Sequence, residues 1–253
     1  MKNNKLHSIE KLLKIMDELR EKCPWDKEQT MDSLKILTIE ESYELIEAIN
    51  EENFEEIKNE LGDLLLHIIF YSKIASEKSK FDFSDVIKSI SDKLINRHPH
   101  VFQNKNKISR NEVEKNWEKI KLNEGRNSIL SGVPKTLPSL IKSIRIQKKA
   151  SNSGFTFNST YESKAKVYEE LEELNEEIKL NNLEKIESEY GDFLFSIINY
   201  GNSLGLNPDN ALEKANKKFI NRFKKMEINL KKDNLIIDQI SKKILLKYWQ
   251  KSK

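Results

Sequence analysis

Residues 40–63 read EESYELIEAINEENFEEIKNELGD and carry the clearest pattern in the chain. It holds two acidic pairs, Glu41 with Glu44 and Glu60 with Asp63, each spaced i, i+3. Residues three apart share one face of an α-helix, and a short polar break separates the two pairs. The stretch therefore predicts two helices that are joined by a short loop and pack antiparallel, with four carboxylates facing one another.

The same pattern returns 129 residues further along the chain, as Glu170 with Glu173 and Glu189 with Asp192. Fifteen residues lie between the two pairs in both copies. A chain of 253 residues with such a repeat is expected to form two domains. The predicted division is an N-terminal helical domain, a linker and a C-terminal helical domain, at residues 1–122, 123–138 and 139–253.

The composition favours helices. Only seven glycines and five prolines interrupt a chain rich in Leu, Ile, Glu and Lys, so the predicted class is all-α, with two tandem helical bundles. The single cysteine excludes an internal disulfide and a Cys-rich zinc site. A net charge of +3 with interleaved signs predicts no nucleic acid polymer as partner. We expect no membrane span, no signal peptide and a cytoplasmic location.

Three local features can be read beside the acidic pairs. Asn53, with Glu56 three residues on, is typical of a helix N-cap, and Asp32 is the candidate cap of the preceding helix. A further helix is predicted at residues 111–122, carrying Trp117. Trp25, beside Pro24, either covers the core or offers a stacking surface, and the core is the preferred interpretation.

The acids have an ordinary explanation, because Glu on a helix is usually solvated and paired with Lys at i+4. In the first copy, however, no Lys or Arg stands four residues before or after any of the four acids. A glycine also precedes each Asp, at Gly62 and Gly191, and the whole pattern recurs. These observations favour metal binding.

A set of carboxylate oxygens suits Mg²⁺ or Mn²⁺ and does not suit zinc. A di-iron bundle would need Glu-x-x-His on two helices, whereas His67 stands four residues after Asp63 and the second copy has Ser196 there. Mg²⁺ usually binds together with substrate phosphates. The pattern therefore predicts metal-assisted hydrolysis of a phosphoanhydride.

Several motifs resemble the MazG family of all-α nucleoside triphosphate pyrophosphohydrolases, and the resemblance covers nearly the whole chain in its two-copy layout. These are the runs CPWDKEQT at 23–30, EESYEL at 40–45, ELGDLL at 60–65, RHPHVF at 97–102, IQKKASNSGF at 146–155 and KVYEELEEL at 166–174. The resemblance implies hydrolysis of an NTP, with dNTPs as further candidates, to an NMP and pyrophosphate. It also implies Mg²⁺ dependence and a homodimer.

The resemblance also implies site residues. Metal ligands would be Glu170, Glu173, Glu189 and Asp192, with Glu41, Glu44, Glu60 and Asp63 as their counterparts in the first copy. Nucleotide-binding positions would be Lys166, Lys185, Lys218, Arg222 and Trp249, with Lys93 and Arg97 in the first copy. From the residues alone, Lys218 and Arg222 form either a phosphate clamp or a solvated charge row, and Trp249 either stacks on a base or caps the bundle. A metal-activated water, assisted by Glu169 or Glu170 as general base, would attack a phosphorus.

The two copies differ in their cations. At the spacing of 129, Lys166 corresponds to Leu37 and Lys185 corresponds to Glu56. Extra cations help to bind a triphosphate, although both lysines could equally form surface pairs with acids on their own helices. We therefore expect the main catalytic site in the second copy and a weak or regulatory metal site in the first. The alternative function is a nucleotide-sensing or partner-binding module without turnover, and a purely structural helical scaffold comes third.

Overall fold

A computed structural model of the chain describes residues 2–103, 109, 112, 113, 120 and 128–252. Within this part of the chain there are eleven helices of four or more residues and no strand, which confirms the predicted all-α class. The chain divides into two compact units, residues 1–107 and 108–253. The domain bounds from the sequence, with their linker at 123–138, stay a prediction.

The first unit is built on a helical hairpin. Its helices are α1 (Lys2–Lys22), α2 (Pro24–Glu28), α3 (Met31–Asn50), α4 (Phe54–Glu77), α5 (Phe83–Arg97) and α6 (Pro99–Phe102). Helices α3 and α4 pack together most extensively, and α1 and α5 each pack on α4. The core side chains are at most 3% exposed and are Met16, Leu34, Ile69, Phe70 and Ile74.

The second unit repeats this hairpin. Its helices are α7 (Ser139–Asn152), α8 (Thr160–Leu180), α9 (Leu183–Ser203), α10 (Pro208–Lys232) and α11 (Lys242–Lys251). Helices α8 and α9 form the main contact, α7 and α10 pack on α9, and α11 packs on α10. A core cluster of Met226, Leu230 and Tyr248 joins α10 to α11. The predicted tandem of helical bundles is confirmed.

The two hairpins turn in the same way at matching positions. Glu52 and Asn181 adopt left-handed backbone, with φ of 55° and 57°. The next residue caps the second helix, because the Asn53 side chain accepts from the Glu56 N–H and the Asn182 side chain accepts from the Lys185 N–H. The cap predicted at Asn53 is thus confirmed, and the short loop brings each acidic pair back against the other.

Two local predictions were wrong. The N-cap of α3 is Thr30, because its hydroxyl accepts from the Ser33 N–H while the Ser33 hydroxyl accepts from the Thr30 N–H. Asp32 therefore lies within the first turn and does not cap the helix. Trp25 lies on the short helix α2 and is 56% exposed, so it does not cover the core.

Two further predictions concern the helix at residues 111–122 and the membrane. Most of the predicted helix at 111–122, including Trp117, lies outside the described residues. No helix in the described ranges combines the length and apolarity needed to cross a bilayer.

Candidate active site

The hairpin of the first unit gathers three of the four predicted carboxylates. Glu41 of α3 and Glu60 and Asp63 of α4 each place one oxygen within 4.8 Å of the other two. Glu44 is not a member of this group, although its negative charge helps to raise the pKa of Glu60. We call these three residues the first cluster.

The first cluster is electrostatically strained. Burial raises the pKa of Glu60, and the charges of Glu44, Glu41 and Asp63 raise it further. Burial and the charges of Asp63 and Glu44 also raise the pKa of Glu41, whose carboxyl shares a hydrogen bond with that of Glu60. The Oε2 atom of Glu60 is buried without a hydrogen-bond partner. Crowded carboxylates with an unsatisfied oxygen form an environment that a cation would stabilise.

The hairpin of the second unit holds the matching group. Glu170 and Glu173 of α8 and Glu189 of α9 each place one oxygen within 4.8 Å of the other two. We call them the second cluster, and Asp192 is not a member of it. Glu170 is only 7% exposed. Burial and the nearby charge of Glu170 raise the pKa of Glu173, while Lys166 opposes that shift.

Lys166 distinguishes the second cluster from the first. Its Nζ lies 2.6 Å from Oε1 of Glu169 and 2.7 Å from Oε1 of Glu170. These hydrogen bonds, the one to Glu169 first, raise the pKa of Lys166, so it stays protonated. The first unit has Leu37 at this position. The second cluster therefore contains a fixed positive charge that the first lacks.

Lys185 does not bind a cluster member. Its Nζ lies 3.2 Å from Oε1 of Glu177, which lies on α8, so this ion pair links the two helices of the hairpin. The other carboxylate oxygen of Glu177 is buried without a partner. Sequence reasoning missed Glu177, because the pair depends on packing between helices and has no i, i+4 spacing.

Arg222 and Trp249 lie together in the second unit. The Arg222 guanidinium carbon lies 4.1 Å from the centroid of the Trp249 ring, and Nη2 of Arg222 donates to the Trp249 carbonyl oxygen at 3.2 Å. Trp249 also packs against the core cluster of α10 and α11, as the cap interpretation predicts. Lys218 is exposed on α10. Within the described part of the chain, Arg222 and Trp249 contact each other and not the acids of the second cluster.

The matching cations of the first unit lie on α5. Lys93 is exposed, and Arg97 is the half-buried last residue of the helix.

Sequence reasoning also missed a buried polar network in the first unit. His67 Nδ1 lies 2.6 Å from Thr38 Oγ1, which lies 2.7 Å from the Tyr71 hydroxyl. Burial lowers the pKa of His67.

The fold and the two clusters define a class of protein: a tandem all-α chain in which each of two helical hairpins holds a cluster of carboxylates suited to a metal ion. Comparison with known families agrees with this class. The MazG nucleotide pyrophosphohydrolase domain matches residues 29–102 and 158–226. Those two segments contain both hairpins and cover more than half of the chain, so the chain belongs to the MazG family.

Similar proteins extend over the full length. A protein of Thermotoga maritima named nucleoside triphosphate pyrophosphohydrolase/pyrophosphatase MazG is 43% identical over 97% of this chain and 95% of its own length. A nucleoside triphosphate pyrophosphohydrolase of Escherichia coli K12 is 38% identical over 98% of both chains. A crystal structure of a mazG-related protein from Thermotoga maritima matches 45% of this chain and 98% of that chain, at 28% identity and a TM-score of 0.41.

Proposed function

We propose that the chain is a Mg²⁺-dependent nucleoside triphosphate pyrophosphohydrolase that cleaves NTPs, and dNTPs as further candidates, to an NMP and pyrophosphate. The observation that carries the proposal is the second cluster with Lys166 beside it, in a chain whose full-length relatives are named for this activity. The nucleoside triphosphate is the substrate, and the enzyme acts in the cytoplasm.

The donor atoms fit a hard cation. Both clusters offer only carboxylate oxygens, which suits Mg²⁺, and Mn²⁺ accepts the same ligands. Burial and the charges of neighbouring acids raise the pKa values of Glu41, Glu60 and Glu173, and a bound cation would offset both effects. Glu170, Glu173 and Glu189 would hold the ion in the second unit, with Asp192 as an outer ligand. Glu41, Glu60 and Asp63 would hold it in the first unit, with Glu44 beside them.

The bound ion supplies charge neutralisation of the phosphates and a lower pKa for the attacking water. The chain's own residues supply the rest. Water attacks a phosphorus of the α–β anhydride, the bond to the bridging oxygen breaks, and pyrophosphate leaves. Glu169 accepts the proton of the water, because Glu170 is a cluster member and Glu169 lies beside it, outside the group. Glu170 remains the alternative base.

Cations bind the triphosphate. Lys166 holds Glu169 and Glu170 in place and adds positive charge next to the cluster. Lys218 and Arg222 contact the phosphates, and Trp249 orients Arg222 through its ring and its carbonyl oxygen. Lys185 links the two helices of the hairpin through its ion pair with Glu177. It also places a positive charge on α9, four residues before Glu189.

The first unit is assigned a different role. Its cluster has Leu37 where the second has Lys166, and Glu56 where the second has Lys185. It binds metal, and through Lys93 and Arg97 a nucleotide, with little or no turnover. This difference is the specific observation that favours nucleotide sensing as a second function of the same chain.

We also propose a homodimer of two-domain subunits. In each subunit the N-terminal domain ends at residue 122 and the C-terminal domain begins at residue 139. The support for a dimer is the exposed apolar face of each hairpin. Leu61 and Ile68 of α4 and Leu194 and Ile197 of α9 are all more than two-fifths exposed. Apolar patches of this kind commonly mark an interface.

The test uses the full chain with a panel of NTPs and dNTPs in Mg²⁺ or EDTA, and it measures both pyrophosphate and NMP. We expect the two products in equal amounts, and only when metal is present. Glu173→Gln, at an exposed cluster position, should abolish turnover while the helical circular dichroism stays intact. Nucleotide binding without products from the wild-type chain would support the sensing module and would contradict the enzyme.

A further inference from the structure

A cavity of about 270 Å³ opens in the second unit between α7, α8 and α9. Most of the residues that line it have polar side chains, among them Gln147, Thr156, Ser163, Asn199 and Asn202, and Phe157 lines it as well. Pockets for drug-sized ligands measure about 300–1,000 Å³. A cavity of this size suits one part of a nucleotide.

The first unit fills the matching positions with core side chains. The spacing of 129 that relates Glu41 to Glu170 also relates Leu34 to Ser163, Phe70 to Asn199 and Ile74 to Ser203. The three apolar residues are at most 3% exposed and belong to the core of the first unit. Their counterparts are smaller and polar, and all three line the cavity.

This exchange costs stability in the second unit. Losing a large apolar side chain from a core destabilises a protein, and the cost grows with the cavity left behind. The Ser163 and Ser203 hydroxyls donate to the carbonyl oxygens of Ser159 and Tyr200, and their oxygens, like the amide of Asn199, can still bind a polar ligand. The exchange therefore points to a ligand, and the ligand should carry hydrogen-bonding edges.

The cavity lies along the same hairpin as the second cluster. Ser163 precedes Glu170 by seven residues on α8, which corresponds to about 10 Å along a helix. Asn199 follows Asp192 by seven residues on α9, so both helices lead from the cavity to the acids. A ribose with its first phosphate bridges a separation of this size. A base in the cavity would thus leave its phosphates at the cluster.

Hydrogen bonds orient two of the amide groups in the cavity, those of Gln147 and Asn202. Gln147 Nε2 donates to the Phe195 carbonyl oxygen at 2.8 Å, and Gln147 Oε1 accepts from Asn202 Nδ2 at 2.9 Å. These two bonds orient the carbonyl oxygen of Asn202, and Asn199 adds a second amide to the lining. An amide offers a donor and an acceptor side by side, which is the pattern that reads the edge of a base. Phe157, 40% exposed in the lining, offers an aromatic face on which a base can stack.

We propose that this cavity is the nucleobase subsite of the second unit, and that Asn199, Asn202 and Phe157 set base preference. The inference rests on the proposed function. In the first unit Leu34, Phe70 and Ile74 fill the three matching positions, and the cavity of about 220 Å³ in this unit lies between α1, α4 and the start of α5 instead.

The test is made in the full-length protein and gives position 199 the residue that the first unit has at the matching position, Phe70. Asn199→Phe fills the cavity, so the KM for the best NTP should rise by about tenfold or more and the order of preference among ATP, GTP, CTP and UTP should change. Inorganic tripolyphosphate has no base, so its inhibition constant should stay unchanged. The matched control is Asn216→Phe, at an exposed position of α10, which should alter neither value.

A second variant keeps the test decisive if Asn199→Phe fails to fold. Phe157→Ala removes an exposed ring and should raise the KM for NTPs while leaving inhibition by tripolyphosphate unchanged. Unchanged KM values and base preference in the folded variants of an active enzyme would overturn the subsite. A wild-type chain that hydrolyses no NTP would instead overturn the proposed function.

Discussion

The two units share a hairpin and a carboxylate cluster but differ in what surrounds the cluster. In the first unit Leu37 stands beside the acids and Leu34 lies in the core. In the second unit Lys166 and Ser163 stand at those positions, and a cavity lined mostly by polar residues opens further along the hairpin. Metal binding needs only the acids of a hairpin, whereas turnover also needs a cation beside the acids and a fixed place for the base.

The difference also illustrates a trade between stability and function. In the first unit the apolar faces of the helices pack together into a core of Met16, Leu34, Ile69, Phe70 and Ile74. The second unit gives up three matching apolar positions, and its buried hydrophobic cluster lies elsewhere, between α10 and α11. Binding sites are often less stable than the scaffold that carries them.

The largest expected effect comes from removing the cation that sets the second cluster apart. Lys166→Leu gives this cluster the residue of the first unit, and kcat/KM for NTP should fall about 100-fold because charge stabilisation of the phosphates is lost. The measurement is steady-state pyrophosphate release. Lys164→Leu, on the same helix and exposed, is the control and should behave like wild type. Equal activity of Lys166→Leu and wild type would show that the cation does not distinguish the units.

Metal should stabilise both units. Ligand at 100 times its Kd stabilises a folded protein by about 2.7 kcal/mol, so Mg²⁺ should raise the Tm measured in EDTA. Glu60→Gln and Glu189→Gln should each remove part of this rise. A Tm that does not respond to Mg²⁺ in the wild-type chain would argue against both metal sites.

Helix caps should affect the two hairpins alike. Thr30 caps α3 and Ser159 caps α8, each through a side-chain oxygen that accepts from a backbone N–H. Replacing either by Ala should lower the free energy of unfolding by about 1 kcal/mol, with kcat nearly unchanged. Urea denaturation checks this expectation. A large loss of activity from Ser159→Ala alone would mean that the cap also positions the acids.

The smallest effect should appear in the pH dependence of stability without metal. Glu60 has a pKa above its ordinary value of 4.5, so ionisation is less favourable in the folded than in the unfolded chain. The stability that protonated Glu60 contributes to the folded chain is fully present below pH 4.5 and is lost as the pH rises through the raised pKa. In EDTA, Glu60→Gln should therefore have a higher Tm than wild type at pH 7, and the gap should close towards pH 4.5. Saturating Mg²⁺ should reverse the order at pH 7, whereas a gap independent of pH would contradict the repulsion.

The hairpins could be predicted from sequence because their signals are local. The i, i+3 acids and the Asn53 cap specify two helices and a tight turn without reference to the rest of the chain. The cap at Thr30 escaped because its third residue is Ser33, which makes the box with a hydroxyl in place of the usual Glu or Gln. The exposure of Trp25 depends on how α2 packs, which no short motif determines.

The site could be predicted only in part. The types and spacing of its residues can be read from the sequence, whereas the distances between side chains depend on how the helices pack. Six of the eight predicted acids form the two clusters, whereas Glu44 and Asp192 are not members, because membership depends on how the two helices of each hairpin pack. The pair of Lys166 with Glu170 has local i, i+4 spacing, but the pair of Lys185 with Glu177 requires the two helices to be packed. The cavity could not be predicted from the sequence, because it depends on how α7, α8 and α9 pack.

Two matched substitutions in the full chain, Glu60→Gln and Glu189→Gln, test most directly which unit is catalytic, because they remove the same carboxylate from each cluster. Pyrophosphate release should fall at least about 100-fold in Glu189→Gln and stay within about threefold of wild type in Glu60→Gln. Equal losses in both variants, or a loss in Glu60→Gln alone, would contradict the account that the second unit is the catalytic one.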